Sequence, residues 1–193
     1  PPFEIRRLRD LMRYRVNLTS FSVGEKNRAQ NCLTVSNIKL DDVLADVFGK
    51  SASAITDQLL LHPDGGFDVA PLMSTHCKAT PEKVQADING LMCSEQAEKL
   101  KIIRSHMDSL ELCKASLESV ILSLVEQFRP QIELVMTVPG IQLFSAISII
   151  AEIGVDMSVF PTAKHLCSWA GLVPQNNESA GKKKTVRITR AGA

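Results

Sequence analysis

Apolar residues recur at helical spacing along most of the chain. Ile5, Leu8, Leu11, Met12 and Val16 predict a helix over residues 4 to about 31, with its arginines on the other face. Residues 31–39 are less regular and predict a turn. A short helix is expected over 41–48, capped by Asp41 or Asp42, lined by Val43, Leu44 and Val47, and stopped by Gly49. Another is expected over 53–61, closed by the turn His62-Pro63-Asp64-Gly65-Gly66. Residues 69–77 fit no one pattern.

From Pro81, with Thr80 as cap, one long helix is predicted as far as Phe128, ended by Pro130. Its apolar seam keeps heptad steps: Leu100, Ile103, Met107, Leu110, Lys114 as the exception, Leu117, Ile121, Leu124 and Phe128. That pattern suits a coiled-coil pairing between copies, and equally a core helix of one bundle. Lys114 favours a small oligomer, because a large one would bury its charge.

A second helical region follows. Pro139-Gly140 ends one helix, and Gly140-Ile141 opens another built on Leu143, Ile147, Ile150 and Ala151. Ser145, Ala146, Ser148 and Ala151 allow a neighbour to approach closely. The arrangement reads as a helix-hairpin-helix, whose turn offers backbone N–H groups at a positive helix end to a phosphate oxygen. A plain αα-hairpin has the same pattern. A further helix is expected over 163–170, capped by Thr162, with Leu166 and Trp169 inward. Residues 172–174 and 185–189 read as short extended pieces flanking the loop 175–184. The fold class is therefore mainly α, with a short β-hairpin or extended loop near the C-terminus. Three regions follow: 1–80, 81–130 and 131–193.

Composition adds little as a total, since the net charge is +1, but its distribution matters. No acidic residue follows Glu178, while Lys182, Lys183, Lys184, Arg187 and Arg190 crowd the end; Arg6, Arg7, Arg9, Arg13 and Arg15 crowd the start. Basic ends around an acidic middle suit a polyanion partner. Arg13-Tyr14-Arg15 reads either as a solvated helix face or as a nucleic-acid contact. The five cysteines and four histidines are scattered without metal-ligand spacing, so no metal site is assigned and the thiols read as buried and reduced, in a cytoplasmic protein. No apolar run is long enough to span a bilayer. The chain opens at Pro1 without a methionine, which suggests an internal piece of a longer protein.

Ser179 lies between Glu178 and Ala180-Gly181, with three lysines beyond it. A serine hydroxyl attacks only if its proton is removed or the product charge is stabilised. The lysines could stabilise a pentavalent phosphate or simply hold a nucleic-acid backbone. No local base is evident, and on local grounds Ser179 reads as a turn residue.

VPGIQLFSAISIIAEIG, followed by FPTAKHLCSWAGLVPQNNESAGKKKTVRITRAG, resembles the C-terminal transposase domain of insertion-sequence recombinases that carry an N-terminal RuvC-like DEDD domain. These are the bridge-RNA-guided recombinases, relatives of the pilin-gene-inverting recombinase. LRDLMRYRVNL resembles the helix after that family's acidic cluster, and the long helix resembles its coiled-coil connector. The resemblance implies a transposase acting by phosphoryl transfer on DNA, with Ser179 inheriting the nucleophile's place. Lys182, Lys183, Lys184 and Arg187 inherit nucleic-acid contacts more loosely; Arg190, Gly140, Arg13 and Arg15 complete the candidate contact set. A guide RNA and a homo-oligomer through residues 82–128 are the implied partners besides DNA. The family's Mg²⁺-binding acidic tetrad has no counterpart here, since Asp41-Asp42 are misplaced, so the metal is expected outside this chain. Without that half, the chain alone is expected not to catalyse recombination. The alternative is a non-catalytic DNA- or RNA-binding and oligomerisation module, in which Ser179 is structural.

Overall fold

The computed structural model describes residues 1–173, 178–179 and 181–183. The chain is mainly α-helical. Its helices are α1 (Phe3–Val35), α2 (Leu40–Val43), α3 (Lys50–Leu61), α4 (Pro81–Asp87), α5 (Ser94–Val125), α6 (Arg129–Met136), α7 (Leu143–Ile153) and α8 (Ala163–Trp169). Two two-residue strands, β1 (Glu178–Ser179) and β2 (Lys182–Lys183), pair antiparallel. The chain divides into two compact units: Pro1–Tyr14 with the chain from Ser119 on, and Arg15–Glu118. The boundaries fall inside α1 and α5.

In the Arg15–Glu118 unit, α1 and α5 run antiparallel, as the ion pairs Arg15–Glu118 and Glu25–His106 show. Helix α1 outlasts its predicted end and closes with a Schellman motif. Asn37 takes a left-handed φ of 56°, Ile38 N–H donates to Leu33 C=O at 2.9 Å, and Asn37 N–H donates to Thr34 C=O at 3.0 Å. The core joins Ala29, Cys32 and Leu33 of α1 to Ile55 and Leu59 of α3, Val84 of α4, and Leu100 and Ile103 of α5. Helix α3 contributes at i, i+3, i+4 and i+7, through Ala52, Ile55, Thr56 and Leu59. The buried Thr56 hydroxyl donates to Ala52 C=O at 2.7 Å, so it carries no desolvation penalty.

Several sequence expectations are corrected here. The helix expected over 41–48 stops at Val43. Asp46 accepts the Phe48 N–H at 2.9 Å and turns the chain, and Gly49 caps the start of α3 rather than ending a helix. The turn at Pro63–Gly66 forms as expected: Gly65 N–H donates to His62 C=O at 3.0 Å, and Asp64 accepts the Gly66 N–H at 3.2 Å. The long helix starts on Thr80, whose hydroxyl accepts the Lys83 N–H, but it breaks between Asp87 and Ser94. Pro130 starts α6 instead of terminating the region.

Within the heptad seam, Leu100, Ile103, Leu110 and Ile121 are all buried in the chain itself. Leu100 and Ile103 join the core with α1 and α3, so that part of the seam is the inner face of a core helix, while Met107, Leu117, Leu124 and Phe128 are half-buried. Lys114 sits beside Glu111 of its own helix, at 3.7 Å. Val16 and Trp169, expected inward, are more than two-fifths exposed at 55% and 42%. Of the thiols only Cys32 is buried, and burial pushes its pKa up; Cys93, Cys113 and Cys167 are exposed. No helix among the described residues is long and apolar enough to cross a membrane.

Candidate nucleic-acid interface

The hairpin of the other unit is built by a short sequence of local choices. Pro130 in the first turn of α6 costs no helical hydrogen bond, because that N–H has no partner there anyway. At the far end, Thr137 folds back, its hydroxyl donating to Leu134 C=O at 2.7 Å and its N–H to the same oxygen at 3.2 Å. Val138-Pro139-Gly140-Ile141 is then a hydrogen-bonded turn, closed by Ile141 N–H to Val138 C=O at 3.1 Å. Proline at its second place and Gly140 at its third, with φ of 87°, follow the type II pattern. Gly140 is exposed, and a Cβ there would meet nothing within 4 Å, so its glycine is required by conformation and not by space.

Helix α7 opens on Gln142, whose side chain does not cap it. Its apolar face, Ala146, Ile147, Ile150 and Ala151, is buried. The opening turn therefore points exposed backbone at solvent from a well-packed helix. This is a place where N–H groups and the helix dipole together favour an anion.

The opposite end of α7 meets α1. Arg9 donates from Nε to Ala151 C=O at 3.0 Å and from Nη2 to Glu152 C=O at 2.8 Å. Arg13 holds the Glu152 carboxylate with two bonds, Nε to Oε1 and Nη2 to Oε2, each 3.0 Å. The Glu152 hydrogen bonds, and after them its charge, raise the Arg13 pKa further above its ordinary value. Arg15 donates to Glu118 at 2.7 Å, inside the other unit. Both arginines proposed from sequence as nucleic-acid contacts are thus engaged by carboxylates of the chain. The role of Arg9 was not legible, because its partners lie 142 and 143 residues away.

Near the C-terminus, Ser179 stands opposite Lys182 and Glu178 opposite Lys183 in the β1–β2 ladder. The strands thus fall inside the segment expected to be a loop. Gly181 has a φ of 71°, as tight hairpin connections require. Lys182 is exposed. Leu172 N–H closes back on Cys167 C=O at 2.9 Å, so residues 172–173 finish the turn after α8 instead of forming a strand. Lys184, Arg187, Arg190 and the extended piece expected at 185–189 lie outside the described residues. Among the described residues, no group of three or more His, Cys, Asp or Glu side chains could hold a metal ion. The hairpin turn and the Ser179 ladder both belong to the chain from Ser119 on.

Residues 132–193 match the family model of the transposase IS116/IS110/IS902 family, which is less than half of the chain. The match makes this part of the chain similar to insertion-sequence transposases. No curated protein and no solved structure matches the chain.

Proposed function

We propose that the chain is the connector and C-terminal part of a DNA transposase that works by phosphoryl transfer, with Ser179 as nucleophile. The observation that carries this reading is the placement of the family match: residues 132–193 take in both the α6–α7 hairpin and the Ser179–Lys182 pair. The hairpin acts as a helix-hairpin-helix, holding a DNA phosphate on the backbone around Gly140 and the opening of α7 without reading bases. Lys182, Lys183, Lys184, Arg187 and Arg190 add cations along the backbone. A lysine directly across the ladder from Ser179 is suitably placed to offset negative charge developing at an attacked phosphate.

The Mg²⁺ implied by the family resemblance is assigned to residues outside this chain. A guide RNA enters on the family resemblance. A homo-oligomer through residues 82–128 has exposed apolar residues of α5 to use, among them Ile102 and Leu112.

Binding of labelled duplex DNA, followed by anisotropy against salt concentration, tests this reading. Reversing Lys182, Lys183 and Lys184 to glutamate is expected to weaken binding and to flatten the slope of log Kd against log salt by about one for each phosphate no longer neutralised. Arg15→Gln is expected to leave the slope unchanged, because Arg15 is held by Glu118. Wild-type affinity no higher than background at moderate salt would sink the reading.

A further inference from the structure

Helix α7 has 11 residues, and at 1.5 Å rise per residue is a rod about 16 Å long. One end presents the turn assigned to the phosphate. The other carries carbonyls with no intrahelical donor. Gly154 N–H satisfies Ile150 C=O at 2.8 Å, and the next two carbonyls, of Ala151 and Glu152, are both taken by Arg9. Arg13, one turn further along α1, grips the side chain of Glu152, and Arg9 Nε also lies 3.3 Å from Glu152 Oε2. Two forks on one face of α1 thus seize the backbone and the side chain of a single turn. Their charge also opposes the negative end of the helix dipole. A lysine could supply that charge but not the fork.

We propose that Arg9 and Arg13 form a clamp that sets the direction of α7, making Arg9 a positioning residue for the nucleic-acid backbone although it does not touch it. The proposal rests on reading the hairpin as the phosphate-holding element. A rod released at one end pivots on its buried face near mid-helix, and a tilt of about 10° moves the far end by about 1.5 Å. A hydrogen bond to a phosphate survives only a few tenths of an ångström of such displacement. The buried face of α7 stays in place without the clamp, so loss of Arg9 misdirects the helix without unfolding it. The clamp also lies outside the family match, which begins at residue 132, so the working unit includes the first turns of α1.

The test uses the 193-residue chain and a fluorescein-labelled DNA duplex. Arg9→Lys is expected to raise Kd about tenfold, the effect of losing a charge-assisted hydrogen bond. Its salt slope and its active fraction, from stoichiometric titration, are expected to match wild type. Arg13→Gln, at the more exposed member, is expected to raise Kd to a smaller extent. A slope lowered by about one in Arg9→Lys would make Arg9 a direct phosphate contact and overturn the proposal. A lowered active fraction at unchanged Kd would reduce the clamp to a merely structural role and overturn it as well. An unchanged Kd in Arg9→Lys, with binding still weakened by Gly140→Val, would overturn the clamp and leave the hairpin reading standing. Absence of binding by wild type would overturn both.

Discussion

Gly90→Ala is expected to destabilise the Arg15–Glu118 unit by about 3 kcal/mol, the upper part of the range for overpacking. A Cβ built on Gly90 falls 2.1 Å from Ser36 O and 2.7 Å from Asn37 O. Both neighbours are backbone, so neither can rotate away. The two stretches of chain are also stitched together on either side of the contact. Lys39 N–H donates to Asp87 C=O at 2.9 Å and Leu91 N–H to Ser36 C=O at 3.1 Å, while Met92 N–H ties the second stretch to Pro63 C=O at 3.0 Å. Relieving the clash means breaking the Leu91–Ser36 bond or drawing Ile88 and Met92, both fully buried, out of the core. Gly24→Ala is the control. It lies within α1, and its Cβ would meet only the flexible end of Arg28, at 3.2 Å, so there alanine is expected to stabilise by about 0.5–1 kcal/mol. Urea unfolding followed by far-UV circular dichroism measures both. An unchanged midpoint for Gly90→Ala would mean that residues 87–92 do not dock on the Ser36–Lys39 turn.

That docking also marks the limit of what local sequence carries. Helix α1, helix α3 and the Pro63–Gly66 turn are legible because their causes are local: apolar spacing, a glycine with a left-handed φ, an aspartate accepting from its neighbour. The break between α4 and α5 is not, because residues 88–93 contain no proline and continue the apolar rhythm. Asn89-Gly90, a turn pair, is the hint, but the reason for Gly90 is a backbone more than fifty residues earlier in the chain. The heptad seam is legible as a set of positions but not as to its partner. Periodicity records that a face is covered but not by what: Leu100 and Ile103 pack in the core with α1, α3 and α4, which no spacing within α5 reveals. Pro130 misleads as a stop signal because proline suits a helix start as well as an end. At the candidate site, the hairpin turn is legible from Pro139-Gly140. Arg13 and Arg15 are legible as cations but not as cations already matched to Glu152 and Glu118, since charge pairing across the fold leaves no local trace.

On the proposed reading, with the family's N-terminal domain joined to this chain, Ser179→Ala is expected to abolish a covalent protein–DNA intermediate and to lower recombination by about four orders of magnitude or more, the scale on which loss of a nucleophile acts. The exchange balances without any group left over. In the proposed step Ser179 Oγ forms a bond to phosphorus as the bond from phosphorus to one DNA oxygen breaks, and the serine's proton ends on that oxygen, releasing the strand as a hydroxyl. A hydroxyl of the partner DNA then attacks the same phosphorus and returns the serine to its free form. Each transfer builds negative charge on the phosphate oxygens. The residue across the ladder from Ser179 is Lys182, so Lys182→Met is expected to slow the reaction while leaving the covalent band detectable. The measurement is a denaturing gel of labelled element-end DNA trapped during reaction. A band in wild type that is missing in Ser179→Ala places the nucleophile in the β1–β2 ladder. Equal bands move it to another residue. Recombination without a band in either protein favours direct strand transfer, and leaves the α6–α7 hairpin and the basic C-terminal segment as a module that holds DNA while other residues do the chemistry.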